Sequence, residues 1–286
     1  MKRRLLSKSV LLTAAFALAT AGTFAQSEVE PYMQVEEMPN LIKCLPAPPS
    51  FDSPEFANDM MRYAWGKQQR QDPKRAAMAI SDAVWSYDAL FEAFEVPFGL
   101  KVSETETPEV YKLLVTALTT TDAMRVAPKA YYLRQRPFER FNDKMLTDEE
   151  DELRGEGSYP SGHTMRGWTC ALLMAEINPE AADTIFARGW LYCENRVIVG
   201  AHWQSDIDAS KVGASIAYGA LHKSEAFREQ MLKAQAEFAE KTTKKPEVPK
   251  GVADRQNTQV YYLNGTPAGD DARGLLIKDG KKVLNK

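Results

Sequence analysis

"GSYPSGHTMRGW", residues 157–168, places a proline, a serine and a glycine directly before a lone histidine and an apolar run. Ser161 and Gly162 are typical of a helix N-terminus, where the first backbone N–H groups have no partner within the helix. The stretch therefore predicts a helix that begins near Ser161 and continues into the apolar run. His163 would lie in its first turn, beside an N-terminus that attracts anions.

The same kind of helix start recurs along the chain. A residue able to cap a helix precedes a proline at Ser53-Pro54, Asp72-Pro73, Thr107-Pro108 and Asn178-Pro179. Proline is well tolerated at the first helical position, because the N–H that it lacks would have no partner there. Residues 50–240 show no convincing alternating strand pattern, so we predict an all-α domain, a multi-helix bundle of seven or more helices.

The residues after Asp72 illustrate the helical spacing. Apolar side chains follow it at intervals of three and four, at Ile80, Val84, Tyr87, Phe91 and Phe94. That spacing predicts one continuous apolar stripe on a helix.

Residues 1–25 do not belong to this fold. They combine four basic residues, an apolar stretch too short to span a bilayer, and a small residue, Ala25, at a cleavage position. We interpret them as a signal peptide that is removed on export. No later segment is long and apolar enough to cross a membrane.

Residues 26–243 form the predicted all-α domain, in which residues 26–52 are expected to lie over the surface as an extended lead-in. Residues 244–286 lose the helical periodicity and gain proline, glycine and charge. We predict an irregular C-terminal extension, within which "VYYLNG" and "GLLIKDGKKV" favour a small hairpin.

Charge and cysteine content exclude some classes of protein. Without residues 1–25 the chain has 32 basic and 39 acidic side chains, a net charge of −7. An acidic exported protein is a poor candidate for binding nucleic acid. Three cysteines allow at most one internal disulfide; Cys170 and Cys193 fit either a bridge or two buried thiols.

Histidine is scarce, since the chain has only three. His222 stands among polar and charged residues and is expected to be solvated. His202 and Asp206 are four apart, which on a helix places them on one face and within contact. A carboxylate there can hold the imidazole Nδ1–H and leave Nε2 with a free lone pair, as a nucleophilic histidine requires.

Three cations accompany the histidines. Lys129 and Arg136 are seven residues apart, so on one helix they would lie on one face, either as a solvated edge or as two groups aimed at one anion. Arg196 precedes His202 by six residues, and a break at Gly200 would let both side chains face one pocket.

With the N-terminus at Ser161 and Gly162, these cations would form a cradle for a phosphate. One histidine could attack phosphorus while the other gives a proton to the departing oxygen. The arrangement requires no metal, and the sequence contains no carboxylate cluster or histidine-rich set that would bind one.

The three segments together resemble the signature of the type-2 phosphatidic acid phosphatase superfamily, which also includes the vanadium-dependent haloperoxidases. They read Lys129-x6-Arg136-Pro137, then Pro160-Ser161-Gly162-His163, then Arg196-x5-His202-x3-Asp206. Within that superfamily, "GSYPSGHT", "RVIVGAHWQSDIDA" and "LPAPPSFDSPEFANDMMRYAWGK" resemble the exported bacterial class A non-specific acid phosphatases. The likeness runs from about Leu45 to about Leu221. One departure is Asn195, where the family usually has serine; we expect it to tune the site, not to abolish activity.

The resemblance implies a role for each residue. His202 is expected to form a phosphohistidine, oriented by Asp206, and His163 to act as general acid and then as general base. The phosphoryl group would be bound by Lys129, Arg136, Ser161, Gly162 and Arg196. Because His163 must start protonated and His202 neutral, mildly acidic pH is expected to favour the reaction.

The expected function is therefore that of a periplasmic, metal-independent acid phosphatase without a cofactor, acting on small phosphomonoesters with some transfer to alcohols. Inorganic phosphate and vanadate are expected inhibitors, and family likeness suggests a homodimer. Three alternatives stay open: a lipid-phosphate or pyrophosphate phosphatase, a vanadium-dependent haloperoxidase, and a catalytically silent phosphate-binding protein.

Overall fold

The computed structural model of the chain describes residues 29–243 and the backbone of strand segments at 261–262, 274–278 and 281–285. The chain divides into two compact units, residues 1–239 and residues 240–286. The predicted signal peptide lies outside the described residues, as does the predicted C-terminal extension apart from its strands.

Twelve α-helices lie within the described residues 29–243. They are α1 (Leu41–Cys44), α2 (Phe56–Gln69), α3 (Pro73–Ser81), α4 (Tyr87–Phe98), α5 (Pro108–Asp122), α6 (Val126–Tyr132), α7 (Pro137–Phe141), α8 (Glu150–Leu153), α9 (Gly162–Ile177), α10 (Ala182–Ile198), α11 (Gln204–Leu221) and α12 (Glu225–Thr243). Short 3-10 turns lie at Val35–Glu37, Ala123–Arg125 and Pro179–Ala181. The predicted all-α class is confirmed.

Most of the predicted helix starts are present. Asp72 caps α3 by accepting hydrogen bonds from the backbone N–H groups of Lys74 and Arg75, at 2.9 and 3.4 Å. Pro108 likewise begins α5 after Thr107. The start predicted at Ser53 is wrong by two residues, because α2 begins at Phe56.

The stripe predicted from Ile80 to Phe94 is wrong in its first half. Helix α3 ends at Ser81, and Ser86 caps a new helix by accepting a hydrogen bond from the Ala89 N–H at 3.1 Å. The turn between the two helices changes the phase of the pattern. Ile80 and Val84 are exposed as a result, while Tyr87, Phe91 and Phe94 are buried.

Helix α9 lies at the centre of the bundle and packs against α5, α10 and α11. Its close approach to α10 requires glycine at position 167, because a Cβ there would collide with the ring of Tyr192. Buried side chains of α4, α5 and α12 belong to the same core as those of α9 and α10. Because several helices pack against α9, the position of its N-terminus is fixed by the bundle.

The predicted surface lead-in is more deeply packed than expected. Met38, Leu41 and Leu45 are buried against Tyr159 and Met165, because α1 and the turn before it present them to the bundle. The expectation that residues 26–52 merely cover the surface is therefore wrong.

Cys170 and Cys193 are buried free thiols, so the bridge between them is absent.

In the second unit, β1 (Tyr261–Tyr262), β2 (Gly274–Lys278) and β3 (Lys281–Asn285) form an antiparallel sheet in that order. The extension is thus not wholly irregular: "GLLIKDGKKV" forms β2 and the start of β3, and β1 within "VYYLNG" pairs with β2.

Among the helices that the structure describes, none has both the length and the apolar character needed to cross a bilayer.

Candidate active site

A cavity of about 290 Å³ opens where the start of α9 meets the C-terminal end of α10 and the loops around residues 133–136 and 199–203. It is lined by Trp85, Arg125, Lys129, Arg136, Glu149, Glu152, Leu153, Glu156, Gly162, His163, Arg196 and His202. Six of the eight predicted site residues thus share one cavity. Ser161 and Asp206 lie behind it, each bonded to groups next to the lining.

Lys129 and Arg136 reach this cavity by a route that differs from the prediction of one continuous helix. Helix α6 ends at Tyr132, because Leu133 adopts a left-handed conformation with φ of 41°. Arg136 is extended, as expected for a residue before proline, and immediately precedes α7. The chain turn, not a shared helix face, brings the two cations together.

Backbone carbonyl groups hold both cations. Lys129 Nζ donates to the carbonyl oxygen of Gly157 at 2.6 Å, and Arg136 Nη1 donates to that of Ala201 at 3.0 Å. Neither side chain forms an ion pair with a carboxylate among the described residues. Their positive charges therefore remain available to an anion in the cavity.

Arg196 and His202 both line the cavity because the chain turns sharply between them. Helix α10 ends at Ile198, and Gly200 follows with φ of 89°, a left-handed conformation that glycine adopts without strain. The break predicted at Gly200 is confirmed. Arg196 lies 3.4 and 3.5 Å from the carboxylate oxygens of Glu149, so an entering anion must compete with that side chain.

The N-terminus of α9 also faces the cavity, through Gly162. Ser161 is its N-cap, and its hydroxyl accepts a hydrogen bond from the backbone N–H of Thr164 at 3.3 Å. The N–H of Ser161 itself donates to the Ser210 hydroxyl at 2.7 Å. Ser161 therefore shapes the helix start from a fully buried position, while Gly162 presents the first helical turn to the cavity.

The sequence predicted that His202 and Asp206 would lie on one helix. In the structure His202 lies just before the first turn of α11, which begins at Gln204. Its Nδ1 nevertheless lies 3.4 Å from Asp206 Oδ2. Its Nε2 lies 3.2 Å from Arg136 Nη1. Because a guanidinium nitrogen only donates, Nε2 must hold the lone pair, and the proton of the neutral ring is on Nδ1.

His163 has the opposite tautomer. Its Nε2 lies 2.9 Å from the carbonyl oxygen of Ala83, and since a carbonyl only accepts, Nε2 carries the proton. Nδ1 is then the ring nitrogen left to take or give a proton. The ring of Trp85 packs against the imidazole with 4.6 Å between centroids.

Burial and the neighbouring cations favour the neutral form of both imidazoles. Burial lowers the pKa of His202 well below 6.5, and Arg136 and Lys129 lower it further. Burial likewise lowers the pKa of His163, with Arg196 adding to the effect. Burial, with help from Arg136, also lowers the pKa of Lys129 to about 7. Each shift would be opposed by a negative charge bound among these groups.

Several residues at or behind the cavity were missed by the sequence interpretation. Trp85, Arg125 and Glu149 line it, while Arg134 and Asp59 lie behind Asp206. Arg134 lies within the motif between Lys129 and Arg136, but nothing in its spacing distinguishes it from a surface arginine. Asp59 comes from α2, and no local pattern links that helix to the site.

Asn195, the departure from the family pattern, does not line the cavity. It is fully buried, where its Oδ1 accepts a hydrogen bond from Arg75 and its Nδ2 donates to Asp82 Oδ2 at 2.6 Å. Asp82 also accepts two hydrogen bonds from Arg188, at 2.9 and 2.5 Å. Asn195 thus helps fix the turn whose next residue, Ala83, contacts His163.

No group of three or more histidine, cysteine, aspartate or glutamate side chains is arranged to hold a metal ion within the described residues.

Comparison with known proteins identifies the class of this fold and site. The family model of the PAP2 superfamily matches residues 110–228, a range that contains all eight predicted site residues. The chain belongs to this superfamily.

Individual relatives define the family more narrowly. The non-specific acid phosphatase of Providencia stuartii is 38% identical over 210 residues, covering 73% of this chain and 84% of that protein. That of Salmonella typhimurium is 36% identical over 236 residues, covering 82% and 94%. The acid phosphatase of Zymomonas mobilis is 32% identical over 200 residues, covering 70% and 75%. The predicted resemblance and the predicted enzyme class, an acid phosphatase, are confirmed.

Proposed function

We propose that this chain hydrolyses small phosphomonoesters in the cavity, through a phosphohistidine on His202 and without a metal ion. One observation carries the proposal: two imidazoles of opposite tautomer line the same cavity, together with Lys129, Arg136 and Arg196. A nucleophile and a proton donor for one phosphoryl group require such a pair.

In the first step, the Nε2 lone pair of His202 attacks phosphorus. A P–N bond forms, the ester P–O bond breaks, and Nδ1 of protonated His163 gives its proton to the departing oxygen. The three cations and the N-terminus of α9 stabilise the equatorial oxygens as charge develops on them. Asp206 stabilises the positive charge that forms on the His202 ring.

In the second step, water attacks the phosphohistidine. Neutral His163 takes a proton from the water, a P–O bond forms, and the P–N bond breaks to release phosphate. An alcohol in place of water would give phosphoryl transfer by the same route. Its oxygen would become the new ester oxygen.

The acidic preference follows from the two histidines. His163 must carry a proton at the start, yet its pKa is lowered well below 6.5 by burial and by Arg196. His202 must be neutral, and its pKa is also lowered. The negative charge of bound substrate raises the pKa of His163, so acidic pH can supply its proton, while the Arg136 guanidinium that faces Nε2 opposes protonation of His202.

Trapping the intermediate tests the proposal directly. The enzyme is mixed at pH 5–6 with radiolabelled p-nitrophenyl phosphate, whose leaving group departs without a proton, then quenched within milliseconds and digested to locate the label. Acid-labile phosphate on His202 is the expected result, absent in His202→Ala and more abundant in His163→Ala. Label on another residue, or turnover of p-nitrophenyl phosphate with no phosphoenzyme, would refute the mechanism.

Metal independence and inhibition need separate assays. Activity should survive dialysis against a chelator, and inorganic phosphate and vanadate should both compete with substrate for the same cations. Loss of activity that returns only with an added divalent ion would contradict the metal-free mechanism. Bromoperoxidase activity with added vanadate would instead support the haloperoxidase alternative.

Export to the periplasm is part of the same proposal. It is supported by the basic, apolar and small-residue segments of residues 1–25. Fractionation of expressing cells should find the activity in the periplasm, and N-terminal sequencing should begin at Gln26. A cytoplasmic protein that keeps Met1 would rule the export proposal out.

A further inference from the structure

The carboxylate of Asp206 is held more tightly by other groups than by the histidine it faces. Its Oδ1 accepts a hydrogen bond from Arg134 Nη1 at 2.6 Å, and its Oδ2 accepts one from the Trp203 backbone N–H at 2.8 Å. The distance from Oδ2 to His202 Nδ1 is 3.4 Å. Asp206 is therefore held by Arg134 and by the turn at Trp203 through shorter contacts than the one it makes with His202.

Arg134 is itself fixed from the opposite side. Its Nη2 donates to Asp59 Oδ2 at 2.8 Å, so its two terminal nitrogens contact two different carboxylates. Ser205 completes the arrangement by donating its N–H and its hydroxyl to Asp59, at 2.7 and 2.6 Å. This links α2, the segment after α6 and the start of α11.

The burial of the group argues against an ordinary surface ion pair. The exposed fractions are 5% for Arg134, 1% for Asp59 and 0% for Asp206. Burying three charges is expensive unless each is paired and hydrogen-bonded, and apolar residues of similar size often stabilise a fold at least as well. A role in the site explains the buried charges better than stability alone does.

We propose that Arg134, held by Asp59, is a positioning residue that fixes the carboxylate of Asp206 and through it the orientation and tautomer of His202. The inference rests on the proposed function of His202 as nucleophile. The planar fork of arginine suits this task, because it can bridge two carboxylates in a fixed geometry, as lysine cannot.

The charges around His202 give the direction of the effect. Lys129, Arg136 and Arg196 disfavour its protonation, as does protonation of His163, while a backbone hydrogen bond at Ser158 and the carboxylate of Asp206, 3.4 Å from Nδ1, favour it. Arg134 partly neutralises Asp206. Replacing Arg134 by a neutral residue should therefore raise the pKa of His202 and loosen its orientation.

Arg134→Gln is the first variant, and Asp59→Asn, which keeps the shape of the side chain, is the second in case the first does not fold. Arg62→Gln is the matched control. Arg62 also connects α2 to the start of α11, donating to Gln204 Oε1 at 3.0 Å and pairing with Glu194 at 2.6 Å, but it makes no contact with Asp206.

Kinetics should show a selective loss. We expect kcat to fall about ten- to hundredfold in Arg134→Gln, by analogy with the loss when groups that orient metal-binding histidines are removed. The Kd of sulfate, a non-reactive anion, should change less than about threefold, because the cations of the cavity are untouched. Asp59→Asn should show the same pattern with a smaller loss, and Arg62→Gln should resemble the wild type.

A double-mutant cycle tests whether Arg134 acts through Asp206. In an Asp206→Asn background, adding Arg134→Gln should lower kcat by less than about threefold. Additive losses, or equal losses in Arg134→Gln and Arg62→Gln, would overturn the inference. A sulfate Kd that rises in parallel with the fall in kcat would overturn it too.

Nitrogen-15 NMR of labelled histidine separates this inference from the proposed function. With only three histidines, the imidazole signals can be assigned by single substitutions. His202 should be the Nδ1–H tautomer in the wild type and should titrate about half a unit to one unit higher in Arg134→Gln. This readout needs no turnover. An unchanged titration and tautomer would refute the positioning role even if a phosphohistidine forms.

Discussion

The two imidazoles of the cavity are anchored in opposite ways. His163 lies in the first turn of a central helix and is held by the carbonyl of Ala83, a neutral backbone group. His202 lies in a turn, between the guanidinium of Arg136 and the carboxylate of Asp206. A neutral carbonyl fixes a ring and stabilises its protonated form only modestly, whereas a carboxylate strongly stabilises the charge that forms on a nucleophilic histidine. The difference matches a proton shuttle and a nucleophile.

The first prediction removes the nucleophile. His202→Ala should lose about 10⁴-fold or more in kcat, because the proposed covalent intermediate forms on the Nε2 that this change removes. Steady-state assays with p-nitrophenyl phosphate measure the loss. Circular dichroism and sulfate binding serve as controls for the fold and for the cation site. Residual activity within tenfold of wild type would mean that the two histidines have been assigned the wrong way round.

The second prediction removes the proton donor. His163→Ala should lose about 10²- to 10⁴-fold with an alkyl phosphate, but much less in the phosphorylation step with a good leaving group. A nitrophenolate departs without a proton, so burst kinetics should still show phosphoenzyme. Equal losses for alkyl and nitrophenyl esters would contradict the role of His163 as general acid.

Two features that bring the site residues together, the helix start at Ser161 and the turn at Gly200, could be predicted from the sequence. The helix start at Ser161 is a local signal, since capping residues act within a few positions of where they stand. The turn at Gly200 is local too, because glycine permits positive φ. Six of the predicted residues accordingly line one cavity.

The remainder depends on contacts that no short window of sequence contains. Arg134 and Asp59 are 75 positions apart, and their pairing exists only because α2 packs beside α11. The left-handed Leu133, which replaces the predicted continuous helix, is not a local signal either, since leucine rarely adopts that conformation; the segment after it is held by a distant residue, through the hydrogen bond from the Ser158 N–H to the Arg134 carbonyl at 2.9 Å. Short sequence signals thus predict residues that line the cavity, whereas tertiary packing determines which residues lie behind them.

The third prediction concerns the pH dependence of anion binding by Lys129. The pKa of Lys129 is lowered to about 7, chiefly by burial, so in the empty site the ammonium is lost as pH rises through that value. The wild type should therefore bind sulfate about ten- to hundredfold more tightly at pH 6 than at pH 9. Inhibition assays across this range measure the change. Lys129→Met should bind weakly throughout and lose most of the dependence near pH 7; equal slopes would contradict the assignment.

The fourth prediction concerns stability. The folded-state pKa of both buried histidines is lowered, so below about pH 6.5 the unfolded chain binds protons that the folded enzyme does not. Stability should therefore fall as pH drops from 6.5, by up to about 1.4 kcal/mol per pH unit for each histidine. Urea unfolding at pH 7 and 5.5 measures this. His163→Gln/His202→Gln should show a shallower fall, and an equally steep one would assign the loss to other groups.

The smallest effect is expected at Asn195, which supports only the His163 side. In Asn195→Ser the shorter side chain cannot bridge Arg75 and Asp82, and we expect about 1 kcal/mol lower stability. Because Arg188 still holds Asp82 through two hydrogen bonds, Ala83 should stay in place and kcat/KM should remain within about threefold of wild type. Any change should appear in the titration of His163, not of His202. A change confined to the pKa of His202 would show instead that Asn195 acts on His202 through Arg196. Arg196 follows Asn195 directly and lowers the pKa of both histidines.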